Sequence, residues 1–251
     1  MSNTLTFIGN GAMALSLAQG LKKDFKIEVV GRNRAKLEAF EDALGVPVKK
    51  ALLQHFDITN KTLILCVKPA NLQEVGTLLQ GGAKVLYSVL AGTKIEDLKH
   101  NITALSYVRS MPNLAASVQK SMTTLCGDAS LQDEAMQLFK AIGTTLWVNS
   151  EKELDIATAL AGSGPAYLAL IAEALADGAV KQGLKRSDAM TLMQGLFNGF
   201  GTLIQQQHPA LLKDGVMSPG GTTAQGYAAL EAGGVRSACI SAIEKAYQRT
   251  L

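Results

Sequence analysis

Short apolar runs alternate with helical stripes over roughly the first 150 residues. Residues 4–8 are β-branched, aromatic and apolar and read as a strand. After a glycine-rich turn, Leu15, Leu17, Ala18 and Leu21 recur at helical spacing. A second strand is predicted over 26–30, a helix over 36–44, a short third strand over 46–48 and a fourth over 62–67, whose unbroken apolar character suits burial on both faces. A helix over 71–79, strands over 84–89, 104–109 and 121–125, and a helix over 133–142 follow. The last strand, 144–148, carries the single tryptophan, Trp147, read as core or domain-interface packing. Strand and helix alternating in this way predict an α/β fold with a Rossmann-type doubly wound sheet.

The alternation stops near Asn149. Residues 151–182 read as one helix interrupted at Gly162-Ser163-Gly164-Pro165, where proline removes a hydrogen bond and kinks it. Gly183 ends that helix, Ser187 starts the next, and His208-Pro209 stops it. The alanine-rich run 224–232 and residues 235–251 supply two more helices. This shift divides the chain into domains at 1–150 and 151–251, the second all-helical. Leu184, Met190, Met193, Leu196 and Phe200 give the second domain more apolar surface than about 100 residues bury alone, so a partner chain of the same kind is expected.

Composition changes this picture little. Hydrophobic residues make up 47% and charged residues 18%, and the net charge of +3 is scattered without a basic run. Nucleic-acid and membrane partners are therefore not expected. The apolar stretch 167–180 contains Glu173 and Asp177 and falls short of the roughly 20 residues a bilayer needs, so it reads as a packed helix. No signal segment is read at the start, and Cys66, Cys126 and Cys239 lack paired spacing, which suits buried free thiols in a reducing cytoplasm. His55, His100 and His208 are isolated, so no metal site is expected.

Two glycine-rich stretches carry the candidate chemistry. Gly9-Asn10-Gly11-Ala12-Met13-Ala14 has the form G-x-G-x-x-A between a strand and a helix, in which the first glycine permits the bend and the second lets backbone approach a pyrophosphate. About twenty residues on, where an NAD enzyme places an acid, stand Arg32, Asn33 and Arg34. An acid there repels the extra phosphate of NADP, whereas arginines pair with it, so NADPH is the expected cofactor and NADH a weaker one. Solvated surface arginines are the alternative. Val67, Lys68 and Pro69, then Ala91 and Gly92, then Met111, Pro112 and Asn113 close successive strands, at the ends where such a sheet collects its ligands.

The second stretch is Ser218-Pro219-Gly220-Gly221-Thr222-Thr223. It reads as a loop opening a helix, with Thr222 as N-cap and Gln225 completing a capping box. Free backbone N–H groups behind two glycines suit a small carboxylate or phosphate. An ordinary capped helix after a tight turn has the same pattern.

Leu212-Lys213-Asp214, the 218–223 segment and Leu230-Glu231 together resemble the signature of pyrroline-5-carboxylate reductases. Val67-Lys68-Pro69, Met111-Pro112-Asn113 and the Gly-Ser-Gly-Pro-Ala-Tyr segment at 162–167 occur in that family's order. The resemblance implies reduction of 1-pyrroline-5-carboxylate to L-proline with NADPH, the last step of proline biosynthesis. It implies that Ser218, Gly220, Gly221, Thr222 and Thr223 hold the substrate carboxylate, with the Thr223 hydroxyl as the catalytic candidate. Met111 to Asn113 then lie near the cofactor, and 162–167 near substrate and nicotinamide. It further implies a dimer through the helical domain, able to assemble up to a decamer. Leu114-Ala115 replaces the family's usual Thr-Pro. Reduction of another cyclic imine or oxo acid, and NADPH binding without turnover, are the alternatives; the ring-nitrogen proton comes from water, a protonated imine or a hydroxyl.

Overall fold

In the computed structural model, which describes residues 4–250, the chain begins β1 (Thr4–Ile8), α1 (Ala12–Leu21), β2 (Lys26–Gly31), α2 (Arg34–Leu44), β3 (Lys49–Leu52), β4 (Phe56–Asp57) and β5 (Thr62–Leu65). It continues with α3 (Leu72–Leu78), β6 (Leu79–Gln80), β7 (Ala83–Ser88), α4 (Ile95–Asn101), β8 (Ala104–Met111), β9 (Ser121–Gly127), α5 (Gln132–Lys140) and β10 (Gly143–Trp147). Then come α6 (Glu151–Ala157), a π-helical turn (Thr158–Gly162), α7 (Gly164–Lys181), α8 (Arg186–Leu203), α9 (Pro209–Val216), α10 (Thr222–Ala232) and α11 (Val235–Gln248).

The main sheet has the order β10-β9-β8-β7-β5-β1-β2-β3. Its strands are parallel from β3 to β8; β9 is antiparallel to β8, and β10 is parallel to β9. The chain winds outward from β1 to β2 and β3, then crosses to β5, so the winding direction switches beside β1. Crevices for ligands form beyond the strand ends at such a switch.

Both sheet faces are covered, which accounts for the unbroken apolar strands. Phe7, Val29, Ile64 and Tyr87 pack with Leu17 and Leu21 of α1, Phe40 of α2 and Phe139 of α5. Their chain neighbours Ile8, Val30, Leu65 and Leu86 pack on the opposite face with Leu72, Val75 and Leu98 from α3 and α4. Period-two alternation thus divides each strand between two cores. Each fully buried large apolar side chain contributes about 1.5–3 kcal/mol.

Several expected elements are displaced. The third strand is Lys49–Leu52 rather than 46–48: Val46 and Val48 pack against the core from the preceding loop, while the polar edge strand pairs with β2. Asn33 caps α2 through its Oδ1, which accepts from the Lys36 N–H at 3.1 Å, so this helix begins two residues before 36. The helices α4 and α9 emerge from segments read as connections; α8 already ends at Leu203, so His208-Pro209 does not stop it but opens α9, with Pro209 at its first turn. The interruption expected at 162–165 starts at Thr158, where the Ser163 N–H donates to the Thr158 carbonyl at 3.1 Å across a widened turn. Pro165 consequently sits in the first turn of α7, where no donor is missed, and kinks no continuing helix.

The described chain forms two compact units, one through Ser163 together with the residues from Ala246 onward, the other from Gly164 to Lys245. In the second unit α7 packs against α8, yet Leu168, Leu170, Leu192, Leu196 and Phe200 stay exposed. The packed helix expected over 167–180 buries only Ala176. With α6 and the π turn, the helical run Glu151–Lys181 spans 31 residues and contains an 18-residue window of mean hydropathy 1.4, enough by length and composition alone to cross a membrane, whereas 167–180 by itself is shorter. Of the three thiols, Cys126 is buried and Cys66 half-buried, but Cys239 lies exposed on α11 rather than buried.

Candidate active site

At the end of β1 the turn is built by close packing. Gly9 has φ +109°, and a Cβ there would stand 2.5 Å from the Cys66 carbonyl oxygen, so only glycine lets β1 and β5 leave the sheet side by side. Its N–H donates to the Val30 carbonyl at 2.8 Å, tying the turn to β2. Gly11 differs: a side chain there would meet nothing within 4 Å. It is the N-cap of α1 with no side-chain cap, so the first N–H groups of that helix, from Ala12 and Met13, lack acceptors within the helix. Asn10 packs against Gly31, and buried Ala14 sets α1 close to the sheet. An uncapped helix start behind an open glycine at a switch point fits a pyrophosphate.

Beyond β2, Arg32 pairs with Glu74 of α3 at 3.1 Å, and Arg34 stands 3.7 Å from Glu38 one turn along α2. Both guanidiniums are exposed, while the Asn33 side-chain oxygen is engaged in the α2 cap. The fourth expected strand, β5, ends at Leu65, and Lys68 and Pro69 lie exposed at the 3₁₀ turn Pro69–Asn71, with Val67 half-buried before them. Ala91 and Gly92 are exposed in the loop after β7. Burial pushes the Cys66 thiol up, so it stays protonated at neutral pH.

Met111, Pro112 and Asn113 are buried at the end of β8. The Asn113 amide is engaged at both ends within the chain: Oδ1 accepts from the Ala115 N–H at 3.1 Å, and Nδ2 donates to the Ala161 carbonyl at 3.0 Å. Leu114-Ala115 begins a 3₁₀ turn that Asn113 caps.

In the helical unit, the Gly221 N–H donates to the Ser218 carbonyl at 3.0 Å, and Gly220 takes φ +71°. Gly221, not Thr222, is the N-cap of α10; its extended backbone starts the helix one residue early, so Thr222 is the first helical residue and the expected capping box is absent. The exposed Thr222 and Thr223 hydroxyls then bond to no other described residue, and neither completes the helix start. That leaves uncapped N–H donors and two hydroxyls together behind Ser218 and two glycines. Further along α10, Glu231 accepts from the Arg236 guanidinium and, at 2.6 Å, from the Tyr227 hydroxyl; these two, in that order, hold its carboxyl below the ordinary value. Lys213 pairs with Asp214 and lies 5.5 Å from the centre of the Tyr227 ring. The Lys-Asp segment before the glycines is thus a neighbour of α10, and the Leu-Glu segment lies within it.

Sequence reading missed one cluster: Arg109 in β8, fully buried between Glu151 and Asp155 of α6. Its signals were an arginine inside an apolar strand and two acids four apart on one helix face. Among the described residues, no group of three His, Cys, Asp or Glu side chains could hold a metal.

Fold and turns define a reductase of the dinucleotide-binding type, a doubly wound sheet followed by a helical unit. Residues 4–92 match the family model for NADP oxidoreductase, coenzyme F420-dependent, and residues 151–251 match that for pyrroline-5-carboxylate reductase dimerisation. The chain is 34% identical to a pyrroline-5-carboxylate reductase of Helicobacter pylori strain J99, covering 98% of each, and 39% identical to one of Glycine max, covering 99% of this chain and 95% of that one. It superposes on the 1-pyrroline-5-carboxylate reductase of Streptococcus pyogenes with a TM-score of 0.87 at 30% identity over 99% of both chains. On the NADP-bound pyrroline carboxylate reductase of Plasmodium falciparum the TM-score is 0.82 at 25% identity over 98% of both. The chain belongs to the pyrroline-5-carboxylate reductase family.

Proposed function

We propose that the protein reduces 1-pyrroline-5-carboxylate to L-proline with NADPH. Family membership over nearly the full chain carries this reading. The α1 start with Gly9, Asn10 and Gly11 takes the pyrophosphate, Arg32 and Arg34 the 2′-phosphate, and the strand-end residues Val67, Lys68, Pro69, Ala91, Gly92 and Met111 line the cofactor. The α10 start takes the substrate carboxylate through its N–H groups, with Ser218, Gly220, Gly221 and Thr222 shaping the turn and the Thr223 hydroxyl directed to the ring nitrogen.

Bound NADPH supplies the hydride that reduces the imine carbon. The chain's task is placement, which in well-oriented cases lowers a barrier by roughly 7–11 kcal/mol. If the imine arrives protonated, hydride addition gives the amine directly; otherwise the ring nitrogen gains its proton from water or through Thr223. The exposed leucines of α7 and α8 form the dimer contact, and the three free thiols suit a reducing cytoplasm.

The test is NADPH oxidation with 1-pyrroline-5-carboxylate against a panel of other cyclic imines and oxo acids, with proline identified as product. Faster turnover of another imine would reassign the substrate. NADPH binding without turnover of any of them would make the protein a cofactor-binding regulator.

A further inference from the structure

Arg109, Met111 and Asn113 stand two apart along and just beyond β8 and so share one face of that strand. Each holds a successive part of the helical run that follows the sheet. Arg109 Nη1 donates to Glu151 Oε1 at 3.0 Å and Nη2 to Asp155 Oδ1 at 2.7 Å, two acids one turn apart on α6. Met111 packs with Leu154 between them, and Asn113 holds the Ala161 carbonyl in the π turn. Glu151 Oε1 also accepts from the Ile95 N–H at 2.8 Å, the first residue of α4 and the end of the loop that carries Ala91 and Gly92.

A guanidinium buried with two carboxylates is no better for stability than an apolar trio of similar volume. What it adds is register. The rigid fork of arginine and two acceptors at i and i+4 admit one rotation and one height of α6. Without the arginine, the two carboxylates repel each other across one turn, and Glu151, whose side chain is 33% exposed, can turn to water and release Ile95.

We propose that Arg109 is a positioning residue: through Glu151 and Asp155 it fixes both the loop carrying Ala91 and Gly92 and the π turn ending at Gly162. The proposal rests on the reductase reading above, which places Ala91 and Gly92 along the cofactor, and on the family resemblance, which puts the segment from Gly162 near substrate and nicotinamide. Arg109 touches neither cofactor nor substrate in this scheme. Its effect falls on kcat, because misplaced segments weaken alignment rather than cofactor attachment, which is governed by α1 and the Arg32 turn.

The experiment is hydrogen exchange on the full chain, read beside kcat and the Kd for NADPH, in Arg109→Lys, whose compact ammonium lacks the rigid two-pronged fork that engages the acids through separate nitrogens. Exchange at Ile95 and across 158–163 is expected to quicken by ~10-fold or more while amides of β1 and β2 hold, as in a local opening. kcat is expected to fall by ~10-fold or more with the NADPH Kd within about 3-fold. Glu151→Ala, at a partly open position that leaves Arg109 paired with Asp155, is the variant to read if Arg109→Lys does not fold, and is expected to quicken Ile95 and lower kcat by ~3-fold or more. Glu151→Gln keeps the shared acceptor and is expected to restore both readouts to within about 2-fold of the parent.

Unchanged exchange at Ile95 and 158–163 in Arg109→Lys and Glu151→Ala would overturn the proposal whatever the activity. Faster exchange with unchanged kcat would reduce the trio to a structural clamp and overturn the positioning role. A parent chain that does not reduce 1-pyrroline-5-carboxylate would defeat the functional reading and the catalytic half of this one, while the exchange result would still decide the mechanical half.

Discussion

Arg32 Nη1 donates to both carboxylate oxygens of Glu74, at 3.1 and 3.2 Å, joining the turn after β2 to α3. Both side chains are more than half exposed, so the pair contributes about 0–1 kcal/mol. A phosphate dianion is the stronger acceptor for a guanidinium. NADPH must therefore take Arg32 from Glu74, whereas NADH makes no such demand. Glu74→Gln is expected to lower the KM for NADPH by about 2- to 5-fold, the size of the released surface pair, and to leave the KM for NADH unchanged. Arg32→Ala combined with Arg34→Ala is expected to act the other way, raising the NADPH value by ~10-fold or more if an enclosed charge-assisted bond is lost. Steady-state kinetics with both cofactors check this; equal changes for the two would remove these arginines from the phosphate site.

Glu28 places a carboxylate in the core of β2. Its fully buried side chain accepts from the Thr6 hydroxyl at 2.7 Å and pairs with Lys61 at 2.9 Å and Lys49 at 2.8 Å. Burial alone would raise its pKa, but bonds from Lys49, Lys61 and Thr6 outweigh it and hold the carboxyl below its ordinary value. With the folded value below the unfolded one, the associated stability is complete above the usual carboxylate range and is lost as pH falls through the folded value. Glu28→Gln strands no buried charge, because both lysines reach solvent, so it is expected to cost about 1–3 kcal/mol at neutral pH, below the full penalty of a broken buried pair. Denaturant melts of both proteins from neutral to acid pH check this. The gap between them should narrow as pH falls; a constant gap would mean that Glu28 is already protonated in the folded chain.

Residue pattern made the sheet legible because each central strand is apolar on two faces and each face has its own helices, as Phe7 and Ile8 illustrate. It failed where identity and geometry diverge. Val46 and Val48 have strand character but serve as loop packing, while polar Lys49 and Lys50 form the edge strand because an edge tolerates solvated lysines and one of them reaches Glu28. Thr222 has the chemistry of a cap, yet Gly221 needs no side chain to start α10. The Arg109 trio joins residues 42 and 46 positions apart, so its parts show in local windows but their pairing does not.

The helical unit supplies a prediction about assembly. Leu168 and Leu170 are 51% and 66% exposed on α7, and Leu192, Leu196 and Phe200 are exposed on α8, which packs against it. Solvated leucines in such number require a cover, and a second copy supplies one of the same character. Light scattering is expected to give at least twice the chain mass at micromolar concentration, and Leu168→Glu with Leu170→Glu to shift the protein toward monomer with loss of thermal stability. A fully active monomeric parent would exclude the dimer contact.

The sharpest prediction concerns the two threonines at the start of α10. Gly221 is the N-cap, so neither hydroxyl is spent on the helix, and Thr222→Val is expected to change stability by no more than about 0.5 kcal/mol, rather than the ~1 kcal/mol that losing a cap costs. Thr223→Val keeps the side-chain shape and removes only the hydroxyl. If that hydroxyl bonds the ring nitrogen as the imine is reduced, kcat/KM for 1-pyrroline-5-carboxylate falls by ~10-fold or more, equivalent to about 1.4 kcal/mol or greater. NADPH affinity is expected to hold, because the cofactor is assigned to α1 and the strand ends. Thermal melts separate the variants on stability, and turnover at saturating NADPH separates them on chemistry. Loss of activity in Thr222→Val with a normal Thr223→Val would exchange the two roles. Full activity in both would leave the carboxylate to the backbone N–H groups of α10 alone and the ring nitrogen either protonated before hydride addition or protonated by water.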